Sequence, residues 1–476
     1  MIYIDENSKT PIYQQIYEQL KFAVESGELA AGEKLPATRN LANTLCVGRN
    51  TVENAYQQLL VEGYVTSKVG SGYQVMDIAD QVFIHERKTN KPIKQHYESI
   101  ETQPPPEDPN YPGVLYDFNY KNMDSEFFPY ALWRKYTNQL LASENNTKFT
   151  SYSDKQGELA LRQEIGKYLY NFRGIKCDVK QIVVCCGLQF ALEKICNLLP
   201  PEYHHVGMEE PGYDSARLVL EKQGFSITPI SVYPELNYAR AMDNPSIKTL
   251  FVTPSHQFPA GHIMPIATRM ALLKWAQDND CYIVEDDYDS EYRYNSKPIP
   301  PLQSIDKDER VIYLGTFSKV LSPSLRISYL ILPPHMVPIY HKVYQGLHPT
   351  ASWLQQATLA LYMQDGQMEK HIRRTFKIFR ERHDSLIKSV EEQLGSRVQI
   401  IGQNAGLHIL LKVKRGGDQN DLIRKARERG VKIYPTMPYW MQQGNCPPDM
   451  VMVGYGQTPP QDIVEGVKLL REAWFP

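Results

Sequence analysis

A chain of 476 residues exceeds one ordinary domain, and the size rule points to about two to four. With 52 Lys and Arg against 54 Asp and Glu, the net charge of −2 gives no global attraction to nucleic acid or anionic lipid, and no apolar run approaches a membrane span. Met1 opens on polar and charged residues without a signal peptide. The seven cysteines are odd in number and lack a C-x-x-C pair, so the reading is a cytoplasmic protein with reduced thiols, no zinc and no membrane partner.

Over residues 11–26, Ile12, Ile16, Leu20 and Ala23 or Val24 share one helical face. A short helix over 37–45, a Cys46-Val47-Gly48 turn and a helix over 50–61 then predict a helix-turn-helix. The segment YVTSKVGSGYQV follows as a two-stranded wing with a glycine tip. In such a module Arg49, Asn50 and Thr51 enter the major groove. Arg39, with Lys68, Gly70 and Gly72 of the wing, reaches phosphates and the adjoining minor groove. Residues 1–76 hold six Lys and Arg against eight Asp and Glu, a balance that suits an ordinary protein-binding domain. Four of the six cations, Lys34, Arg39, Arg49 and Lys68, nevertheless fall where the motif faces DNA. The stretch LPATRNLANTLCVGRNTVENAYQQLLVEGYV with GSGYQV resembles the winged helix of the GntR regulators. Gly48 departs from the usual small hydroxyl residue and Glu53 from a common basic one, which leaves the operator sequence open.

Residues 77–113 turn to Lys, Glu, Gln and Pro and end in ETQPPPEDPNYPG, the composition of an extended linker. The aromatic stretch over 117–134 reads as an arm lying across a surface. A helix follows with Leu159, Leu161, Ile165 and Leu169 inward. A buried strand over 182–186 runs into Gly187, where a helix start can receive an anion or simply connect two elements. Further strands lead to Tyr213, to Ser255, His256 and Gln257, to Glu285, Asp286, Asp287 and Tyr288 after a strand over 281–284, and to Ser318 and Lys319 after a strand over 311–314. Alternating buried strands, polar loops and helices predict a mainly parallel sheet with ligand groups at its carboxyl ends. An amine, a carboxylate and an anion cradle together are what a Schiff-base cofactor requires. Residues 350–395 read as one or two long helices whose basic residues either form a solvated face or touch flanking DNA; short strands around a helix close the chain.

The stretches YSDKQGELALR, EEPGYDSARL, TPSHQFPAGHIMP, VEDDYDSEY and GTFSKVLSPSLRISY are similar to those of fold type I aminotransferases. The joined architecture resembles the MocR/GabR subfamily of GntR regulators. The resemblance implies a multidomain chain: a winged helix-turn-helix (1–76), a flexible linker (77–113), and an α/β pyridoxal-phosphate transferase fold (114–476). The last would comprise a large part over 150–345 and a small α+β part over 346–476 that includes the N-terminal arm. It implies pyridoxal 5'-phosphate as cofactor, with Lys319 forming the Schiff base, Asp286 on the pyridine nitrogen, Tyr288 on the ring hydroxyl and Tyr213 stacked on the ring. Gly187, Leu188, Gln189, Ser318 and Arg326 would hold the phosphate, with Gln257 nearby. Tyr152 would reach a neighbouring subunit in a domain-swapped, head-to-tail homodimer. Gln457 stands where a substrate-carboxylate arginine is expected, and Asp214 and Ser215 where GABA-responsive proteins carry arginines, which disfavours GABA. The expected function is a regulator that binds double-stranded DNA and senses an amino compound or pyridoxal phosphate itself. The alternative is a working aminotransferase with an accessory DNA-binding domain.

Overall fold

The computed structural model describes all residues except 1, 6, 7, 9, 69–71, 78–112, 143–146, 234, 295–298, 415, 416 and 476. The chain divides into two compact units, residues 1–107 and 108–476. Most of the expected linker, and Gly70 of the wing, lie outside the described residues, as does the side chain of Lys68.

In the first unit α1 (Ile12–Glu25), α2 (Thr38–Thr44) and α3 (Arg49–Val61) precede a hairpin of β1 (Val65–Lys68) and β2 (Gly72–Val75). Helical spacing buries Ile16, Leu20 and Val24 against Val52, Ala55, Tyr56 and Leu59, and Val24 rather than Ala23 completes the α1 stripe. The wing is fastened to α3 by the Tyr56–Tyr73 edge contact (5.0 Å) and by Gln57 Nε2, which donates to the Tyr73 hydroxyl at 3.1 Å. The expected glycine-bearing turn is built differently. Cys46 takes the left-handed conformation (φ 54°), whereas Gly48 is extended and precedes α3. The short turn needs one left-handed residue directly after α2, so position rather than residue preference decides which one.

The second unit is a seven-stranded sheet packed by helices, with a smaller sheet beside it. After β3 (Tyr116–Asp117), the large sheet contains β4 (Ile182–Cys185), β5 (His205–Glu210), β6 (Ser226–Ser231), β7 (Thr249–Val252), β8 (Tyr282–Asp287), β9 (Val311–Thr316) and β10 (Ser328–Ile331). Their order is β4-β10-β9-β8-β7-β5-β6, parallel except for β10. Alternation sends Val183, Cys185, Val284, Ile312 and Leu314 to one face, against the Gly187–Leu198 and Asp214–Lys222 helices. Ile182, Val184, Ile283, Val311 and Tyr313 go to the other, against the Leu159–Arg173 and Ile266–Asp278 helices. Leu159, expected inward, is exposed at the start of its helix; Leu161, Ile165 and Leu169 are buried.

Two strands are longer than their sequence pattern suggests. β8 continues through Glu285, Asp286 and Asp287, and β9 through Gly315 and Thr316, because Asp286 pairs with Leu314 and Asp287 with Gly315 in the ladder. Carboxylates tolerate that position because each flanking one has strong partners, although Asp287 Oδ1 has none among the described residues. Glu285 accepts the N–H groups of Leu302 (2.8 Å) and Gln303 (2.9 Å), and Asp287 pairs with Arg173 (2.7 Å) and the Tyr313 hydroxyl (2.5 Å).

The small sheet runs β11 (Val398–Ile401), β12 (His408–Val413), β15 (Met450–Gly454) and β14 (Tyr434–Pro435), while β13 (Val431–Lys432) pairs with β3. The arm over 117–134 is thus more ordered than expected: it begins as a strand and ends inside the Tyr130–Leu141 helix. Two long helices, Trp353–Gln364 and Gln367–Gln393, meet at Gly366, whose φ of 66° suits glycine. No helix among the described residues is long and apolar enough to cross a membrane.

The arm passes so close to the end of β15 that a Cβ on Gly454 would lie 2.6 Å from backbone atoms of Asn119 and Tyr120. Gly454→Ala therefore displaces the arm and should cost about 1–3 kcal/mol. Denaturant unfolding of the full chain checks this, and an unchanged midpoint would contradict the packing.

Candidate functional site

A cavity of about 550 Å³ lies at the carboxyl ends of the parallel strands, within the roughly 300–1,000 Å³ range of small-molecule sites. It gathers most of the expected residues: Leu188 and Gln189 from the helix after β4, Tyr213 after β5, Asp286 and Tyr288 from β8 and its exit, and Ser318, Lys319 and Arg326 after β9. Sequence separation is removed by the sheet, since each loop leaves the same edge.

Lys319 is half-buried, and its amine donates to the carbonyls of Tyr120 (2.8 Å) and Lys121 (3.1 Å). Burial pushes its pKa down to about 8, against an opposing pull from the Asp289 carboxylate; the Lys121 ammonium adds to the depression. The group is poised to supply a free amine near neutral pH, as an imine-forming lysine must.

Asp286 is buried, and its Oδ1 has no hydrogen-bond partner among the described residues. Burial raises its carboxyl well above the ordinary range, and the surrounding Asp287, Asp289, Glu209 and Glu285 carboxylates raise it further. A buried acceptor left open costs about 1–3 kcal/mol, and a protonated ring nitrogen is the complement that would restore its charge. Tyr288 OH lies 3.0 Å from His256 Nδ1, which also sits 2.8 Å from Asp289 Oδ2.

Arg326 adopts a left-handed backbone (φ 52°) after the Pro323–Leu325 turn, an uncommon state for a side-chain-bearing residue. That geometry lays its guanidinium where a Gly187 Cβ would stand, beside the start of the Gly187–Leu198 helix. A guanidinium next to free helical N–H groups forms an anion cradle. The amine, the open carboxylate and this cradle fit a pyridoxal phosphate group.

One expectation turns out otherwise. Gln257 does not line the cavity: its amide donates to the carbonyls of Pro211 (2.7 Å) and Phe258 (2.6 Å), which turns it into the loop behind the wall. Tyr152, expected to reach a neighbouring subunit, is 75% exposed, stacks on His348 at 3.7 Å and does not line this cavity. Gln457, expected in place of a substrate-carboxylate arginine, donates to the Met123 carbonyl at 3.3 Å. Sequence reasoning missed Tyr120, Lys121, Asn122, Thr253, Phe258, Asp289, Leu407 and His408 on the wall. His408 alone carried a signal, a lone polar residue in the apolar run GLHILL.

In the first unit Arg39, Arg49 and Asn50 are exposed at the openings of α2 and α3, and Thr51 is half-buried beside them. Arg49 makes a loose pair with Glu53 (3.8 Å), one turn on. Gly72, at φ 78°, begins the second wing strand.

Residues 12–75 match the family described as bacterial regulatory proteins, gntR family, and residues 119–445 match aminotransferase class I and II. The chain is 38% identical to the uncharacterized HTH-type transcriptional regulator YdeL of Bacillus subtilis, over 99% of this chain and 98% of that one. It is 31% identical to the probable rhizopine catabolism regulatory protein MocR of Rhizobium meliloti, over 100% of this chain and 96% of that one. The multiple substrate aminotransferase of Thermococcus profundus has the same fold over 77% of this chain and 92% of its own (TM-score 0.67, 23% identity).

Because its folded pKa lies near 8 rather than 10.5, Lys319 sheds its proton earlier in the folded chain than in the unfolded one. Its contribution to stability therefore rises as pH increases through that window. The rate at which an acylating reagent modifies Lys319, followed by peptide mass spectrometry, should titrate near pH 8. A midpoint near 10.5 would show an ordinary surface lysine.

Proposed function

The chain belongs to the GntR family of transcriptional regulators, in the MocR-like group that joins a winged helix to an aminotransferase-like domain, and from that premise we propose that it holds pyridoxal 5'-phosphate and senses an amino compound, or the cofactor itself, to control DNA binding. The observation that supports this most is the coincidence, in one cavity, of a lysine with depressed pKa, a buried carboxylate with an open oxygen and an arginine laid across a helix start.

When bound, pyridoxal phosphate supplies an aldehyde and an electron-poor ring to which amines attach reversibly. Lys319 provides the resident amine and Asp286 presents its open oxygen to the ring nitrogen. Arg326, Gly187, Leu188, Gln189 and Ser318 hold the phosphate, while Tyr213 and Tyr288 border the ring. In this reading Arg39, Arg49, Asn50 and Thr51 contact DNA, and so do Lys68, Gly70 and Gly72 of the wing. The proposed domain limits are 1–76, 77–113 and 114–476. Tyr152, exposed and aromatic, suits the proposed homodimer in which it reaches into the neighbouring subunit. Ligand occupancy would shift the balance between two arrangements of the dimer, and the linker would carry that shift to the winged helices.

The full chain mixed with pyridoxal phosphate should develop visible absorbance that Lys319→Ala abolishes while DNA binding persists. Arg49→Ala should weaken binding to selected DNA about tenfold or more and leave the absorbance intact. Equal absorbance in Lys319→Ala, or equal affinity in Arg49→Ala, would remove the respective assignment. Turnover of amino and keto acid pairs at enzymatic rates would favour the aminotransferase alternative.

A further inference from the structure

Resting on the reading of the cavity as an amine-sensing site, we infer that arm residues 119–122 form its acid-recognition wall. Lys121 and Asn122 receive an anionic group on the effector, which makes that effector an amine bearing a carboxylate or sulfonate.

The wall is built rather than incidental. Asn119 Oδ1 accepts the N–H groups of Lys121 (2.7 Å) and Asn122 (3.3 Å), closing the loop into a turn. Asn119 Nδ2 donates to the Tyr434 hydroxyl (3.0 Å), which donates to Asp117 Oδ1 (2.7 Å), so the turn is tied to the small sheet. From the cavity side, Lys319 holds the Tyr120 and Lys121 carbonyls. The backbone is thereby held from both sides, and Lys121 and Asn122, both exposed, are among the residues that line the cavity. Among the described residues neither makes a side-chain hydrogen bond or an ion pair.

The charges point the same way. The Lys121 and Lys319 amines lie 5.6 and 5.7 Å from the centre of one ring, that of Tyr120, and neither forms a salt bridge among the described residues. Two ammonium groups sharing a ring and a cavity repel, and an anion placed beside them relieves the repulsion. The other charged groups on the wall have partners or roles in the proposed cofactor site, Arg326 by its place beside the helix start rather than by any hydrogen bond or ion pair among the described residues. Arg326 faces the helix start at Gly187, Asp289 faces His256, and Asp214 accepts the Ser215 N–H at 2.8 Å; Asp286 serves the ring nitrogen in the proposed site. Lys121 is the wall's cation without a role in the proposed cofactor site, and an ammonium together with a carboxamide N–H offers donors to both oxygens of a carboxylate.

Propionate, which carries the acid without the amine, separates this inference from the reading beneath it. Calorimetric titration of the cofactor-loaded full chain should show saturable propionate binding, weakened about tenfold or more in Lys121→Gln and largely recovered in Lys121→Arg. β-Alanine should half-saturate the visible absorbance change at lower concentration than propylamine in the unmodified chain, and Lys121→Gln should erase that preference. No propionate binding, or equal binding by Lys121→Gln, overturns the acid wall. Lys121-dependent propionate binding with no absorbance change from either amine keeps the wall and overturns amine sensing.

Discussion

A carboxylate buried at the end of a parallel strand, without a hydrogen-bond partner among the described residues, is the constraint around which the second unit is arranged. β8 carries three acids in succession, and the sheet resolves them by alternation. Glu285 and Asp287 point to the face where helix N–H groups and Arg173 answer them, with Asp287 Oδ1 left over, and Asp286 points to the other face, where among the described residues its side chain makes no hydrogen bond and its Oδ1 is open to the cavity. Losing one partner of a buried pair such as Arg173–Asp287 typically costs about 3–5 kcal/mol, so the flanking pairs fix the strand and thereby the aim of Asp286. An open buried acceptor is tolerated where a ligand completes it, and here it faces a cavity that also holds Lys319 and the Arg326 cradle.

The same economy of placement joins the arm to the site. The small sheet does not itself supply the reactive amine, yet it positions the arm that covers it, through β3 on β13, the tight approach at Gly454 and the Asn119–Tyr434 bond. Lys319 completes the enclosure by holding two arm carbonyls. An amine that enters a covalent bond loses most of that donor capacity, so occupancy of the cavity and the hold on the arm are linked through one nitrogen. Such a group, shared between a ligand and a structural contact, is a physical means by which binding can bias one arrangement over another.

Much of this was legible because it is local. The winged helix, the strand leading to Lys319, the acids of β8 and the glycine before the phosphate helix each occupy one short window, and strand-loop-helix alternation foretells that their ends converge. What escaped depends on partners far away in the chain. Nothing near Tyr120, Lys121 or Asn122 reports that Lys319, some two hundred residues on, will meet them. The extension of β8 through three acids is unreadable until Arg173 and the Leu302–Ile305 helix are known to answer them, and Gln257 was misplaced because its loop folds the amide back onto Pro211 and Phe258. The left-handed Cys46 shows the reverse case, in which a tight turn overrides the preference for a glycine two residues later.

The central claim is that the cavity of the second unit governs DNA binding by the first. It is tested most directly by measuring the affinity of the full chain for DNA selected from a random library, with and without pyridoxal phosphate, in the unmodified chain and in Lys319→Ala. The account predicts an affinity or salt dependence that changes on cofactor addition in the unmodified chain and stays constant in Lys319→Ala. Identical curves in the unmodified chain, with the cofactor shown by absorbance to be bound, would contradict it.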